Sequence, residues 1–334
     1  MDSRDVDRVI VAGGGPAGVM AALAALREGS AVTLFEKTRF PRHKVCGEFL
    51  SPEFVVVAER LGVWGRLRDA GAVPIRQMSL RVGQRVLRHK LSESAHGLSR
   101  HCMDDVLLSA AAREGAEVLR EKAVSPPPGS VWAVGRKTPQ HGPKDQRLFG
   151  FKAHFDGPQL DSVELHFFHG CYVGVSPVEG GKTNVCGLGP LGTLRRFQFE
   201  PDELLRLSEA LSERVAPLRR AGPWLRTGPL VYGQAPRSAL PADVYAAGDA
   251  RAFVDPFTGA GMTIAAISGA LAGRAASRRE PLNRYWRRSE RVLNRTLRRA
   301  GFLRLLLAAG WAEPLSRLAT GSLLFQATRP RVLS

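Results

Sequence analysis

Arg8-Val9-Ile10-Val11-Ala12-Gly13-Gly14-Gly15-Pro16-Ala17-Gly18-Val19 is the stretch that decides the fold. A short β-branched run ends on three glycines, and from Gly18 the composition turns to Ala and Leu as far as Arg27, so the order is strand, tight turn, helix. The spacing of Gly13, Gly15 and Gly18 has a separate reason at each position. Gly13 permits the turn, Gly15 lets a phosphate approach the backbone with no Cβ in the way, and Gly18 allows the helix to lie close to the strand. Pro16 and Ala17 then open a helix whose unpaired N–H groups favour an anion. A second strand, Ala31–Phe35, ends at Glu36, 21 residues beyond Gly15, where a carboxylate can accept hydrogen bonds from a ribose diol and disfavours a 2′-phosphate. The unit predicts a Rossmann half that binds a dinucleotide.

Outward from this unit, apolar residues recur at helical spacing from Pro52 to Gly71 and from Met103 to Gly115. Ser51 before Pro52 predicts an N-cap with proline in the first turn. Between Ser125 and Lys144, Pro126-Pro127-Pro128-Gly129 and His141-Gly142-Pro143 predict a loop or a shortened connection. Leu148–Phe155, Ser162–Phe168, Cys171–Val175 and Thr183–Leu188 read as strands of an antiparallel sheet. Leu204–Leu218 reads as a helix, Val244–Ala247 as a short buried strand, Gly261–Ala276 as a small-residue helix, and Asn283–Leu307 as an Arg-rich helix. The expected fold is α/β: a Rossmann-like dinucleotide-binding domain built from residues 1–147 and 232–280, an inserted antiparallel-sheet domain at 148–231, and C-terminal basic amphipathic helices at 281–334.

With 334 residues, 44% hydrophobic and 24% charged, the chain has ample material for a packed core. Its net charge of +17 is concentrated at one end: from Leu271 to Ser334 there are fourteen arginines, no lysine and three glutamates. No helix-turn-helix, zinc-finger or aromatic RNA-binding signature accompanies them, so nucleic acid is not the expected partner. A solvated helix face, peripheral contact with an anionic membrane, or an acidic carrier or partner accounts for the charge. Cys46, Cys102, Cys171 and Cys186 show no C-x-x-C pairing and no metal-ligand spacing with histidine, which predicts a reduced, cytoplasmic protein without a metal site. No uninterrupted run of about 18 apolar residues is present, so membrane contact would be peripheral, at the inner face.

The choice of FAD over NAD rests on residues far downstream. Tyr245-Ala246-Ala247-Gly248-Asp249-Ala250, followed by Phe253-Val254-Asp255-Pro256-Phe257-Thr258-Gly259-Ala260-Gly261, resembles the second flavin fingerprint of the para-hydroxybenzoate hydroxylase fold, and within it the geranylgeranyl reductase branch. Lys44-Val45-Cys46-Gly47-Glu48 looks like that branch's segment beside the flavin, and Gly97-Leu98-Ser99-Arg100 like the segment whose arginine reaches the FAD phosphates or ribityl chain. Phe149-Gly150-Phe151-Lys152 and Gly180-Gly181-Lys182-Thr183 resemble its substrate sheet. The resemblance implies FAD as cofactor, with Gly13, Gly15, Pro16, Ala17, Gly18, Glu36, Lys37, Lys44, Cys46, Gly47, Arg100, Gly248, Asp249, Pro256, Gly259, Ala260, Gly261 and Met262 around it. Asp249 would hold the ribityl hydroxyls, and Pro256 with the Gly259–Gly261 backbone would lie beside the ring. Pro256, Gly259 and Cys46 are the candidates next to the reacting atoms, although a lone cysteine is more often a small buried hydrophobe.

One position departs from the family pattern. Where the family usually has an Asp-Gly pair after a strand near the middle of the chain, this chain has Trp132-Ala133-Val134-Gly135-Arg136-Lys137, with Val134 in place of the aspartate. A weakly FAD-binding or accessory protein is therefore one expectation. The others are a flavin monooxygenase acting on an aromatic or polyketide-like molecule, which the reading puts first, and an alkene reductase acting on a prenyl lipid. No second dinucleotide turn is present, so the electron donor would be NAD(P)H bound transiently or a separate reductase.

Overall fold

The computed structural model of the chain describes residues 8–136 and 147–308. Lys137, His141-Gly142-Pro143 and the last part of the basic C-terminal segment lie outside the described residues. The first half of the chain runs β1 (Arg8–Ala12), α1 (Pro16–Arg27), β2 (Ala31–Phe35), β3 (Phe49–Leu50), α2 (Pro52–Arg60), α3 (Trp64–Asp69), β4 (Val73–Val82), β5 (Arg85–Gly97), α4 (Arg100–Arg113), β6 (Glu117–Leu119) and β7 (Val131–Trp132). There follow β8 (Leu148–Asp156), β9 (Ser162–Phe168), β10 (Cys171–Val178), β11 (Lys182–Pro190), α5 (Leu191–Arg196), α6 (Pro201–Leu205), α7 (Glu209–Val215), β12 (Arg219–Arg220) and β13 (Leu225–Leu230). The chain then closes with β14 (Gly233–Gln234), β15 (Tyr245–Ala246), β16 (Ala252–Phe253), α8 (Gly261–Ser277) and α9 (Leu282–Ala308).

The first sheet is parallel, in the order β15-β7-β1-β2-β6. Its middle is apolar and buried, with Val9, Val11 and Ala12 of β1 and Val32 and Leu34 of β2 in the core, while Arg8 and Glu117 pair at its exposed margin. Val131–Trp132 is the strand between β1 and β15, so the proline-rich connection read as a loop ends in a central strand. Two residues are too few to show a period. The strand is found only by its partners, Val11 and Ala12 on one side and Tyr245 and Ala246 on the other. Against this sheet α1 and α8 pack backbone to backbone. A Cβ on Gly269 or Gly273 would lie 2.1 Å from the Ala17 carbonyl oxygen or 2.0 Å from that of Ala21. That small-residue seam brings the N-termini of α1 and α8 to the same side of the sheet.

The second sheet has nine strands, in the order β12-β8-β11-β10-β9-β4-β5-β3 with β13 also on β8. It draws on two parts of the chain. β8–β11 run antiparallel as their alternation suggests, whereas the long β4–β5 hairpin, inside the span assigned from sequence to the FAD-binding domain, joins it through a parallel β4–β9 pairing. One face of the sheet buries Phe151, Phe155, Val173, Val175 and Val185 against α5–α7 and Trp224. The other face is left for the site. Two helical stretches are broken where one helix was expected. Gly62, at φ +65, separates α2 from α3, and Ser208, whose hydroxyl accepts from Leu211 N–H, starts α7 afresh after α6.

Candidate functional site

A cavity of about 910 Å³ is lined by residues of both sheets, at the upper end of the range for small-molecule and cofactor sites. Its polar end is built on the turn after β1. A Cβ on Gly13 would stand 2.4 Å from the Ala133 carbonyl oxygen, and one on Gly18 1.7 Å from the Gly13 carbonyl oxygen, so these glycines are packing requirements. Gly15 differs: a Cβ there meets nothing within 4 Å and would project into open space. Gly15 is also the N-cap of α1 and no side chain caps that helix, so its first N–H groups are available to an anion.

Glu36, 6% exposed, lines the cavity beside this turn. One carboxylate oxygen accepts from Gly14 N–H and the other from Thr38 N–H, both at 2.8 Å. Each oxygen keeps a further lone pair for a ribose hydroxyl. Lys37, Lys44, Cys46, Gly47, Arg100, Gly248, Asp249, Pro256, Gly259, Gly261 and Met262 line the same cavity, together with Gly13, Gly15, Pro16 and Ala17. Gly18 and Ala260 are set behind the wall: Gly18 packs on Gly13, and Ala260 N–H donates to Thr258 Oγ1 at 3.2 Å. The α8 N-terminus repeats the logic of α1, since Ala260 brings no side-chain cap and Gly259 turns the chain at φ +63.

Cations gather around this end, and two of them, Arg42 and Arg136, are not among the residues expected from sequence. Arg42 and Arg136 line the cavity beside Lys44 and Arg100. Arg136 lies over the Phe253 ring at 4.9 Å, Arg42 over the Phe40 ring at 4.6 Å, and the Nε of each is buried without a hydrogen-bond partner among the described residues. Arg100 is held by Asp104 through hydrogen bonds of 2.6 and 2.7 Å. Burial pushes the Lys44 ammonium down to about 8, with Arg100 and Arg42 adding to the shift and Asp104 and Asp249 opposing it. The Asp249 carboxyl opens onto the cavity interior yet is enclosed by protein, and burial raises it against the pull of Arg136, Arg100 and Lys44. Val134 also lines the cavity, 40% exposed, with its Cα 3.0 Å from the position of a Gly13 Cβ. The residue at the aspartate's place thus abuts the phosphate turn with a hydrocarbon side chain.

Glu48, immediately before β3, lines the cavity wall and ties β8 to the start of α4. It is 1% exposed at φ +56, and its carboxylate accepts from Lys152 Nζ, pairs with His154 Nε2 at 2.6 Å and accepts from Arg100 N–H at 2.6 Å. Burial by itself would raise this carboxyl, but His154 and Lys152 outweigh it and hold it below its ordinary range. The contact to Arg100 N–H fastens the first turn of α4, which carries the Arg100 guanidinium. Asn184 donates to the Cys46 carbonyl at 3.1 Å, and Cys46 Sγ accepts from Glu48 N–H at 3.4 Å. Cys186 lines the cavity as well, so Cys46 is not the lone thiol there, but burial raises the Cys186 thiol far above its ordinary value and keeps it protonated. All four cysteines are free.

The apolar end follows from strand register. Met78, Leu80 and Val82 of β4 alternate onto one face and sit opposite Val163, Leu165 and Phe167 of β9. Phe167 faces Tyr172, and Tyr172 faces Leu188. All of these line the cavity, so the sheet offers it an apolar platform that runs up to the Phe257 ring after Pro256.

Comparison with known proteins agrees with this geometry. A family model described as FAD dependent oxidoreductase matches residues 8–41. The chain is 28% identical to a menaquinone reductase of Mycobacterium tuberculosis over 85% of its own length and 79% of that protein's. It is 33% identical to the flavin-dependent halogenase armH2 of Armillaria mellea, but over 33% of this chain and only 22% of that protein. Among solved structures, the flavin-dependent brominase Bmp2 superposes with a TM-score of 0.74 at 17% identity, covering 91% of this chain and 87% of the brominase. A geranylgeranyl bacteriochlorophyll reductase-like protein of Thermoplasma acidophilum superposes at 0.69 and 17% identity, covering 98% and 92%. The open space at Gly15, two uncapped helix N-termini and arginine nitrogens without partners suit an anionic dinucleotide, so the residues present fit FAD.

Proposed function

The chain has the fold of the para-hydroxybenzoate hydroxylase-type FAD-dependent oxidoreductases, and from there we propose that it exchanges electrons between FAD and an apolar, lipid-like substrate laid on the β4–β9–β10 face. The observation that carries this is the continuity of the cavity: the Gly15 turn and the Met78, Leu165, Phe167 and Leu188 platform line one space. Bound FAD would supply two-electron redox chemistry. The protein's own residues would hold it: Glu36 and the α1 N-terminus at the nucleotide, Arg100, Lys44 and Arg136 along the charged part, Asp249 at the ribityl hydroxyls, and the Gly259–Gly261 turn at the ring end. Reduction of a prenyl-type double bond or quinone-like molecule is favoured by the length-wide likeness to menaquinone reductase. Hydroxylation of an aromatic or polyketide-like molecule is the second reading, since the fold it needs is shared here with other flavin-dependent enzymes such as the brominase Bmp2. For the donor we propose NAD(P)H bound transiently or a separate reductase.

The visible spectrum of the purified protein, before and after addition of FAD, tests this directly. Bands near 375 and 450 nm, about where flavins absorb, are expected, and Asp249→Ala is expected to release the flavin. Anaerobic reduction followed by air then separates the two reactions: slow reoxidation supports the reductase and rapid reoxidation the hydroxylase. A protein that stays colourless with excess FAD would sink both readings and leave the accessory role suggested by Val134.

A further inference from the structure

We infer that α9 is a docking surface for an anionic lipid bilayer. This inference stands on the helix alone and is independent of the chemistry in the cavity. The helix Leu282–Ala308 contains eight arginines, one glutamate and no lysine. Its charges are sorted. At about 100° per residue, Arg284, Arg287, Arg291, Arg295 and Arg298 fall within an arc of roughly 80°, and all five are exposed. Tyr285, Trp286, Val292, Leu293 and Ala300 occupy the opposite side and are buried in the core. Tyr285 Oη donates to the Ala246 carbonyl at 2.6 Å, and Arg251 stacks on Trp286 at 4.3 Å, so the inner face is fixed and the arginine stripe cannot roll inward.

Two features separate this stripe from an ordinary solvated face. Arg287, Arg291 and Arg298 form no ion pair with any described residue, although acidic residues commonly stand four positions from arginine on such faces. The stripe also ends in Phe302, one turn beyond Arg298, which is 62% exposed. A row of arginines followed by a projecting aromatic matches a bilayer surface, where guanidinium groups meet lipid phosphates and an aromatic ring enters the headgroup boundary. A nucleic acid would reward the arginines and leave Phe302 in water. No described helix is long and apolar enough to cross a membrane, so the contact lies in the plane of the surface.

The experiment is co-sedimentation of the full chain with vesicles of phosphatidylcholine alone or containing phosphatidylglycerol, at low and high salt. Binding to the anionic vesicles is expected to be about tenfold or more stronger than to the neutral ones, and to fall with salt. The triple variant Arg287→Glu, Arg291→Glu, Arg298→Glu is expected to lose that difference with its thermal midpoint and flavin content unchanged. Phe302→Ser is expected to keep the salt-sensitive recruitment and lose whatever binding survives at high salt. Equal recovery on both vesicle types, a triple variant that still binds, or capture by a duplex oligonucleotide without capture by anionic vesicles would each overturn the inference.

Discussion

At Gly15 and Gly18 the same residue type serves opposite needs, and substitution separates them. Gly15→Val adds atoms to open space at an ordinary φ of −75, so the fold should persist while the pyrophosphate position is blocked. Flavin binding is expected to vanish, with a thermal midpoint close to that of the flavin-free parent. Gly18→Ala places a Cβ 1.7 Å from a backbone oxygen, which should cost stability by about 1–3 kcal/mol through overpacking, read as a lower urea midpoint. Lys44 adds a pH signature. Its ammonium is charged below about 8 and neutral above, so its attraction for the cofactor's phosphates is present below that pH and lost above it. FAD affinity should therefore weaken as pH rises through this value, and Lys44→Met should flatten the step in a fluorescence titration. Stability in the absence of flavin runs the other way. Unfolded lysine stays protonated to its ordinary pKa of 10.5, so this group's contribution to stability rises with pH between about 8 and 10.5.

Among the elements, the junction of β3, β8 and α4 is held by buried charge. Glu48 faces Lys152, 1% exposed, and caps the first turn of α4. Glu48→Gln leaves an ammonium buried without its counter-charge, and breaking such a pair typically costs about 3–5 kcal/mol. Urea unfolding should show that loss, and adding Lys152→Met should restore most of it, because removing both charges also removes their desolvation cost. If the single variant unfolds like the parent, the pair contributes nothing and Arg100 is positioned by Asp104 alone. The sequence pointed to Glu48 only as one letter of a resembling segment. Its partners on β8 lie 104 and 106 positions away, and no periodicity within either segment links them.

For the molecule as a whole, the cavity wall is shared between a parallel and a mostly antiparallel sheet, so a ligand filling it binds the folded chain and not the unfolded one. FAD at about a hundred times its dissociation constant should stabilise the protein by about 2.7 kcal/mol. Thermal melts with and without FAD check this, and an unchanged midpoint would mean that no tight flavin complex forms. The arginine stripe belongs to the same scale. Its charge was visible from composition, but its division into a buried aromatic side and an exposed basic side became concrete only once Tyr285 and Trp286 were seen against the core.

By itself the sequence determined the Rossmann half, because glycine spacing, the strand before it and the helix after it are local consequences of backbone sterics and helix electrostatics. β1, α1 and β2 stand where composition and turn chemistry placed them. Alternation likewise revealed β8–β11. Only the tertiary structure decided the central position of the two-residue strand β7, the entry of the β4–β5 hairpin into the second sheet, and the meeting of Arg42 and Arg136 with Lys44 and Arg100 at one cavity. Those outcomes depend on which strand finds which partner across long stretches of chain, and a pairing of that kind leaves no period in the residues on either side of it.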